Sequence, residues 1–568
     1  MGPCSSFLFF LQFSLAWRFL SMRCTPTFYC PKRRYAEAVR AGSATPESKT
    51  QTQKASESRP IPTTTAGAHA IKTYPQDARP KHQKPRPRCT AAQVLQNIGH
   101  RDATGPARRT LQLTGSLGNR YDFFFGYFDK TNFAPDGTRV LVSRTRVSAR
   151  IDNAEASGWY QGCRDNRKPF PVLEIGFIDF CEQRDTVGFP FHKIGETTAW
   201  NVHQGAQAQW VGEDIIFNTR TGNSDFFQAR VAALSGKVLK EYAAPIYSLS
   251  HDGALAAVLN YTHLNICSQY GYASENLGNF CSTAAHLIAE DSSQFLAVLD
   301  LASGQVSKLI SVSDVAAFLV GEGVLRRHKR SWYRYINHAQ WSRDSTELIF
   351  LYREQHGKTL DDRFTYGVTI NIHTKKMHLV SKSGKDGCVS HHDYGYSNTL
   401  LCVNNRYWEY KEHKLHTVHA DPLTRVNGHP TFSNFDVPGP GRFILSDTYP
   451  KPFLGARAGT TEDGPLSRAI SRKQRMQHLY IFDRRASQAR LIAWLPAGYS
   501  DLHPRWDRVG SLVTVDSGND RRRHLYSVFV EDILSDFRAG KVSTNRNQSY
   551  SLDNNGGLSL SMPSRLAQ

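Results

Sequence analysis

Seven times between residues 112 and 530 the chain repeats one short unit, and this repeat limits its fold more than any other feature. Each copy runs from a polar or histidine start to an aromatic residue, then a turn of the Ser/Pro-Asp-Gly kind, then an apolar run. The copies begin at Tyr127, Ala206, Pro245, Ile336, Val389, Gly428 and Asp501, as in INHAQWSRDSTELIFLYR from Ile336 and DLHPRWDRVGSLVTVDSG from Asp501. Long helical periodicity is absent. Segments between copies, such as 295–310 and 478–494, read as strand, polar turn, strand. A copy plus such a hairpin gives four strands, and a four-stranded unit cannot bury both its faces alone. Radial stacking of the units resolves this, so the chain reads as all-β, a seven-bladed β-propeller. Uneven intervals leave six or eight blades open and place insertions at 150–200 and 263–292. The composition agrees: 31 Phe, 24 Tyr and 9 Trp stand against 5 Met, and aromatic rings suit half-buried pleated surfaces.

The net charge of +20 suggests nucleic acid, but its distribution does not. Residues 1–110 hold 18 Lys/Arg and 5 Asp/Glu, leaving the rest with only +7. No nucleic-acid partner is therefore expected for the folded part. Residues 7–21 are apolar but broken by Gln12 and Arg18, so 1–35 reads as a targeting or anchoring segment and 1–21 as the one route to a membrane. An alternative start at Met22 would open an Arg-rich, acid-poor stretch with the bias of an organelle transit peptide. The compartment stays open between secretory or membrane and organelle targeting. Residues 36–110 are rich in Ser, Thr, Pro and basic residues and read as a disordered basic linker. The propeller is expected over 111–540 as a monomer, and 541–568 as a disordered tail. No cysteine pair has CxxC spacing, which argues against structural zinc. Cys267 and Cys281 flank a loop and would suit a disulfide or two free thiols equally. Asn260 and Asn547 stand in glycosylation sequons, the first inside a strand pattern.

Histidine gathers at the repeat starts: His338, His391, His392, His429 and His503, from four consecutive copies. If copies are blades, these imidazoles can face one another across the axis. Asp129, Asp393, Asn427, Asp501, Gln207 and Gln209 begin the same strands. Imidazole with carboxylate suits Mn, Fe or Zn. The alternative is that each His caps its own blade through a backbone hydrogen bond. Lys130, Arg343, Arg353, Arg425 and Arg505 lie nearby and suit carboxylate or phosphate ligands, or else blade-to-blade pairing. Tyr127, Phe128, Trp210, Trp341 and Trp506 are read as core packing, and Asp447 as a blade hydrogen bond.

The segments FFFGYFDKTNFAPDG, INHAQW, SHHDY, NGHPTFS, RFILSDTYP and DLHPRW together resemble a bacterial-type propeller family. That family is similar to oligogalacturonate lyases and to WD40-like or TolB-like propellers, and the resemblance spans most of 121–530. It implies a seven-bladed propeller with an axial divalent ion, manganese before others, held by His and Gln. It also implies cleavage of galacturonides by β-elimination. On this chain His391 and His429 match ligand positions. Asn427 stands where the lyases have a His ligand, and Thr424 where they have a Gln. His503 is a further ligand, His338 the base and Arg505 a second catalytic group. Arg425, Asp129, Lys130 and Gln209 are the substrate-binding residues.

Three functions stay in play: an enzyme on acidic carbohydrate, a non-catalytic propeller binding a glycan or protein partner, and a metal-dependent enzyme of another class. The first and third require the histidines to converge on the axis. The second requires only an exposed recognition surface.

Overall fold

The computed structural model describes residues 89–99, 110–115, 120–146, 171–186, 188–222, 226–267, 270–272, 295–325, 333–355, 363–382, 389–395, 398–403, 406–412, 414–418, 427–435, 441–449, 451–452, 475–496, 500–518, 522–541, 549–552 and 558–561. Seven antiparallel blades form a ring. Blade 1 comprises Asp122–Phe124, Arg139–Thr145, Leu173–Asp179 and His192–Thr197. Blade 2 runs from Gln209–Val211 to Val238–Tyr242, blade 3 from Ser248–Leu249 to Val306–Ser311, and blade 4 from Tyr333–Trp341 to Met377–Lys382. Blade 5 runs from Val389–Tyr394 to Lys414–Thr417, and blade 6 from Thr431–Phe432 to Gln488–Pro496. In blade 7 the inner three strands are Arg505–Trp506, Leu512–Ser517 and His524–Phe529. Its outer strand is Thr110–Gln112, which precedes blade 1 and pairs as Thr110↔Val528 and Gln112↔Tyr526. The ring is thus closed by main-chain hydrogen bonds between the two ends of the repeat array.

The repeat has a common register. Each innermost run carries at or near its end an anchor residue that pairs at or near the start of the second strand. The anchors are Phe133, Trp210, Leu249, Trp341, Tyr394, Phe432 and Trp506, opposite Val140, Ile215, Ala256, Leu348, Thr399, Ile444 and Val513. Second strands are apolar at successive positions, as in Leu348-Ile349-Phe350-Leu351, because both faces of a blade are covered. Odd and even residues therefore feed different cores. Leu348 and Phe350 join the core shared with blade 3, and Ile349 and Leu351 the core shared with blade 5. The same division gives one apolar cluster at each of the seven blade junctions.

Several boundaries differ from the sequence expectation. Residues 150–200 are not an insertion alone, because they carry the two outer strands of blade 1. Part of the expected linker is folded: Ala91–Ile98 is a helix with a Thr90–Gln93 capping box, and its Val94 and Ile98 enter the core between blades 7 and 1. The tail carries a hairpin, Ser549–Leu552 with Leu558–Ser561. Cys89 is disulfide-bonded to Cys181, tying that helix to blade 1. This pairing was not anticipated, since the two cysteines lie 92 residues apart in parts of the chain read as different domains. Cys281 of the pair weighed above lies outside the described residues, as do 7–21. No helix among the described residues is long and apolar enough to cross a membrane.

The disulfide and the outer strand of blade 7 belong to one N-terminal segment. Cys181→Ser is expected to expose residues 89–112 to limited proteolysis while the remaining blades stay resistant, read by mass spectrometry of the fragments. Unchanged cleavage would show that the strand pairing alone holds the segment.

Candidate functional site

Counting from the anchors separates two kinds of inner-strand position. One residue before the anchor, side chains latch a blade to its neighbour. Gln209 donates to the Tyr247 carbonyl at 3.2 Å and accepts from the Leu249 amide at 2.9 Å. Ser248 reaches the Ala339 carbonyl, Gln340 the His392 carbonyl, and Asp393 accepts from the Phe432 amide. Arg505 reaches the Tyr127 and Gly126 carbonyls of blade 1 at 3.2 and 3.1 Å. Gln209 and Arg505, expected to bind substrate and to act in catalysis, therefore have their side chains engaged in joining blades.

Three residues before the anchor stand Lys130, Gln207, Ile246, His338, His391, His429 and His503. Here the backbone leaves the ladder. Gln207, His338 and His503 have left-handed φ of 56°, 55° and 45°. The register shifts between Asn337 and Gln340 and between Ser390 and His392. A bulge of this kind re-aims one side chain, and here it sends the imidazoles inward.

His429 is at the centre of the group. Its ring centroid lies 4.3 Å from that of His391 and 4.5 Å from that of His503. Its Nδ1 lies 2.8 Å from Asp447 Oδ1, which also accepts the His429 amide at 2.8 Å. Asp447 thereby fixes the tautomer and leaves Nε2 as the remaining nitrogen. Burial opposes charge on His429, but Asp447 outweighs it and raises the pKa. His391 Nδ1 lies 3.3 Å from Asn427 Oδ1, and its Nε2 3.2 Å from the Tyr449 hydroxyl. Asn427 is placed to orient His391. His503 is fully buried, and neither of its ring nitrogens has a hydrogen-bond partner. Donor atoms of His429, Asp501 and His503 lie within 4.8 Å of one another. Burial, then the charge of His429, push His391 and His503 well below the ordinary histidine range, which keeps their lone pairs free. Burial raises Asp501 to about 6, against the pull of His429. Two imidazoles and a carboxylate, with His503 Nε2 3.9 Å from Asp501 Oδ2 and without a hydrogen bond, fit a borderline divalent ion.

His338 belongs to a neighbouring group. Its Nδ1 lies 3.2 Å from the Tyr247 hydroxyl, which donates to Asp129 Oδ2 at 2.8 Å. Lys130 pairs with Asp129 Oδ1 at 2.7 Å and sits 4.2 Å over the Tyr247 ring. Tyr127 separates the groups, stacking on His338 at 5.1 Å and meeting His503 edge-on at 4.9 Å. Burial, then Arg353, lower the His338 pKa well below its ordinary value. Arg425 lies outside the described residues.

Tyr127 and Phe128 are not core anchors, as their place in the repeat suggested. The blade 1 anchor is Phe133, and residues 125–130 form a loop interrupting its innermost strand. With Tyr270 they make an apolar cluster against the histidines. Asp516 holds this loop. Its carboxylate accepts the Phe125 and Gly126 amides and pairs with Arg505 at 3.0 Å and Arg523 at 2.9 Å. Gly126, at φ 136°, passes so near Gln204 that a Cβ would meet its backbone at 2.8 Å. Asp516 and Arg523 escaped the sequence reading. The available signal was an Asp closing the second strand in both LVTVDS and FILSD.

No protein-family model and no curated protein matches the chain. Among solved structures it is similar to an oligogalacturonate lyase in complex with manganese, at 11% identity over 75% of this chain and 97% of that one, TM-score 0.43. It is similar to the oligogalacturonate lyase of Vibrio parahaemolyticus, at 11% identity with the same coverage and TM-score 0.41. TolB from Acinetobacter baumannii matches at 10% identity over 64% and 77%, TM-score 0.30. No residue role follows from likenesses this distant.

Asp516→Ala strands two buried guanidinium groups and is expected to lower unfolding free energy by about 3–5 kcal/mol, measured by denaturant titration. A loss below about 1 kcal/mol would show that the loop is held by packing instead. Burial lowers His203 to about 3, with Arg523 adding to it, and lowers His263 and His392 each to about 4. Unfolding lets these groups take up protons, so their contribution is complete above about pH 6.5 and lost as pH falls towards 4. Asp501 and Asp507, each raised to about 6 by burial, work in the opposite sense between their unfolded value and about 6. The three histidines outweigh these two, so the thermal midpoint is expected to fall between pH 6.5 and 5. A flat or rising midpoint contradicts this balance.

Proposed function

We propose that the axial cluster is a divalent-metal site, with His429, His503 and Asp501 as ligands and His391 beside them. The observation carrying this reading is the convergence of His429 and Asp501 on His503, whose two buried ring nitrogens have no hydrogen-bond partner. The donor set suits manganese, iron or zinc, and manganese is the ion proposed first. A bound ion there would stabilise negative charge developing on a substrate carboxylate. The proposed substrate is an acidic oligosaccharide and the reaction a β-elimination.

The chain's own groups fit that chemistry. His338 is neutral at neutral pH, and a neutral imidazole can accept a proton. With Nδ1 turned to Tyr247, its Nε2 is the accepting atom. Lys130 supplies positive charge beside it, tempered by Asp129. Asn427 orients His391 as Asp447 orients His429.

One observation favours a non-catalytic propeller. His338, His429 and His503 are 3% exposed or less, and Tyr127 and Phe128 cover them. A site closed this way suits an ion that stiffens the ring while a partner binds elsewhere. Metal analysis and activity separate the two. Near-stoichiometric metal is expected in the purified chain, lost in His429→Ala and His503→Ala and kept in His338→Ala. Oligogalacturonide cleavage, followed by absorbance of the unsaturated product, is expected to disappear in all three. Metal without cleavage supports the scaffold reading, and no metal after incubation with Mn, Fe or Zn ends the metal reading.

A further inference from the structure

Four stretches of chain meet at the phenol oxygen of Tyr247, which lies just before the innermost strand of blade 3. Its hydroxyl donates to Asp129 Oδ2 at 2.8 Å, from the blade 1 loop that Asp516 holds. Gln204 Nε2, from the connection between blades 1 and 2, donates to it at 3.1 Å. His338 Nδ1, from blade 4, stands 3.2 Å away. Tyr247 and Gln204 are buried, and so is the Asp129 side chain.

Counting hydrogens at this oxygen fixes the imidazole. A phenol carries one proton, and a carboxylate has none to offer. Tyr247 therefore gives its proton to Asp129, and its lone pairs can only accept. Gln204 donates into one, so His338 Nδ1 must donate into the other. Burial, then Arg353, keep His338 neutral. A hydrogen on Nδ1 then leaves Nε2 with a bare lone pair, and among the described residues Nε2 makes no hydrogen bond. Asp129 is itself held in place. Its Oδ1 pairs with Lys130 Nζ at 2.7 Å, and that ammonium lies 4.2 Å over the Tyr247 ring.

We propose that Asp129 is a positioning residue: acting through Tyr247, it fixes His338 as the Nδ1–H tautomer and reserves Nε2 as the lone pair that takes a proton. In catalysis this rests on the reading of His338 as the base, whereas the tautomer does not. When Nε2 is protonated, the charge of the imidazolium faces Asp129 across one hydroxyl. In hydrolytic triads a carboxylate orients the imidazole directly, and here a phenol stands between them. Asp129 then acts without touching substrate, and Lys130 keeps its carboxylate aimed at Tyr247.

Asp129→Asn is the test, because Lys130 dictates how the amide sits. An ammonium only donates, so the Asn oxygen faces Lys130 and its NH2 faces Tyr247, whose proton then turns to His338 Nδ1. The full chain is labelled with 15N-histidine, and the His338 signals are assigned by their loss in His338→Gln. At neutral pH the wild-type Nε2, the nitrogen coupled to both carbon-bound ring protons, is expected in the unprotonated range. In Asp129→Asn it is expected to move to the protonated range. Tyr247→Phe is expected to lose the single Nδ1–H form, and it serves if the asparagine variant fails to fold, as judged by thermal midpoint. A protonated Nε2 in the wild type, or a wild-type His338 pattern in either folded variant, overturns the proposal. Oligogalacturonide cleavage separates positioning from binding. Asp129→Asn is expected to lower kcat about a hundredfold or more, with KM within about threefold of the wild type and metal content kept. A raised KM with kcat kept would make Asp129 a substrate-binding residue and overturn the positioning role. If the wild type does not cleave, the reading of His338 as base fails alone, and the spectra still decide what Asp129 does.

Discussion

The buried carboxylate of Asp516 is the point on which the ring and its centre both rest. A propeller must join its last blade to its first, and here that junction also carries the loop that enters the channel. Asp516 gathers two guanidinium groups and two main-chain amides in one place. Arg505 passes the connection on to the carbonyls of Gly126 and Tyr127, and Arg523 to that of Val202 in the 1–2 connection. Charges this deep are tolerable only when each is paired and hydrogen-bonded. The network therefore fixes one geometry for residues 125–130, and with it the rings lying against the histidines.

The division of labour along the innermost strand explains why polar residues are so dense in the middle of the protein. A position whose side chain reaches the adjoining strand can satisfy itself there, as Gln209 and Ser248 do. A position where the backbone leaves the ladder cannot, and its side chain must find a partner elsewhere in its own blade or in the next one. Asp447 and Asn427 supply partners for His429 and His391, while His503 has Asp501 at 3.9 Å and no hydrogen bond. A buried imidazole without a hydrogen bond is costly, and a bound ion would offset that cost.

Much of the fold was legible because the repeat is a local pattern. An aromatic anchor, a turn and an apolar run state where a strand ends and the next begins. The outer hairpins at 295–310 and 478–494 were readable for the same reason, as third and fourth strands of blades 3 and 6. Blade 1 was harder. Residues 125–130 interrupt its innermost strand, so Tyr127 resembles an anchor while Phe133 serves as one. The helix Ala91–Ile98 was hidden in a basic, proline-rich neighbourhood, and its packing depends on a core formed by residues hundreds of positions away.

By itself the sequence determined the blade architecture and the gathering of histidines at equivalent strand positions, because periodicity and position within a repeat are local properties. Only the tertiary structure decided which of those side chains meet. Convergence depends on bulges that turn His338 and His391 out of the ladder and on the left-handed backbone at His503. It also depends on Tyr127, which separates His338 from the trio of His429, Asp501 and His503. The same closure of the ring assigned Gln209 and Arg505 to holding blades together, since whether a polar side chain meets a neighbouring carbonyl or an open channel is set by the packing of distant strands.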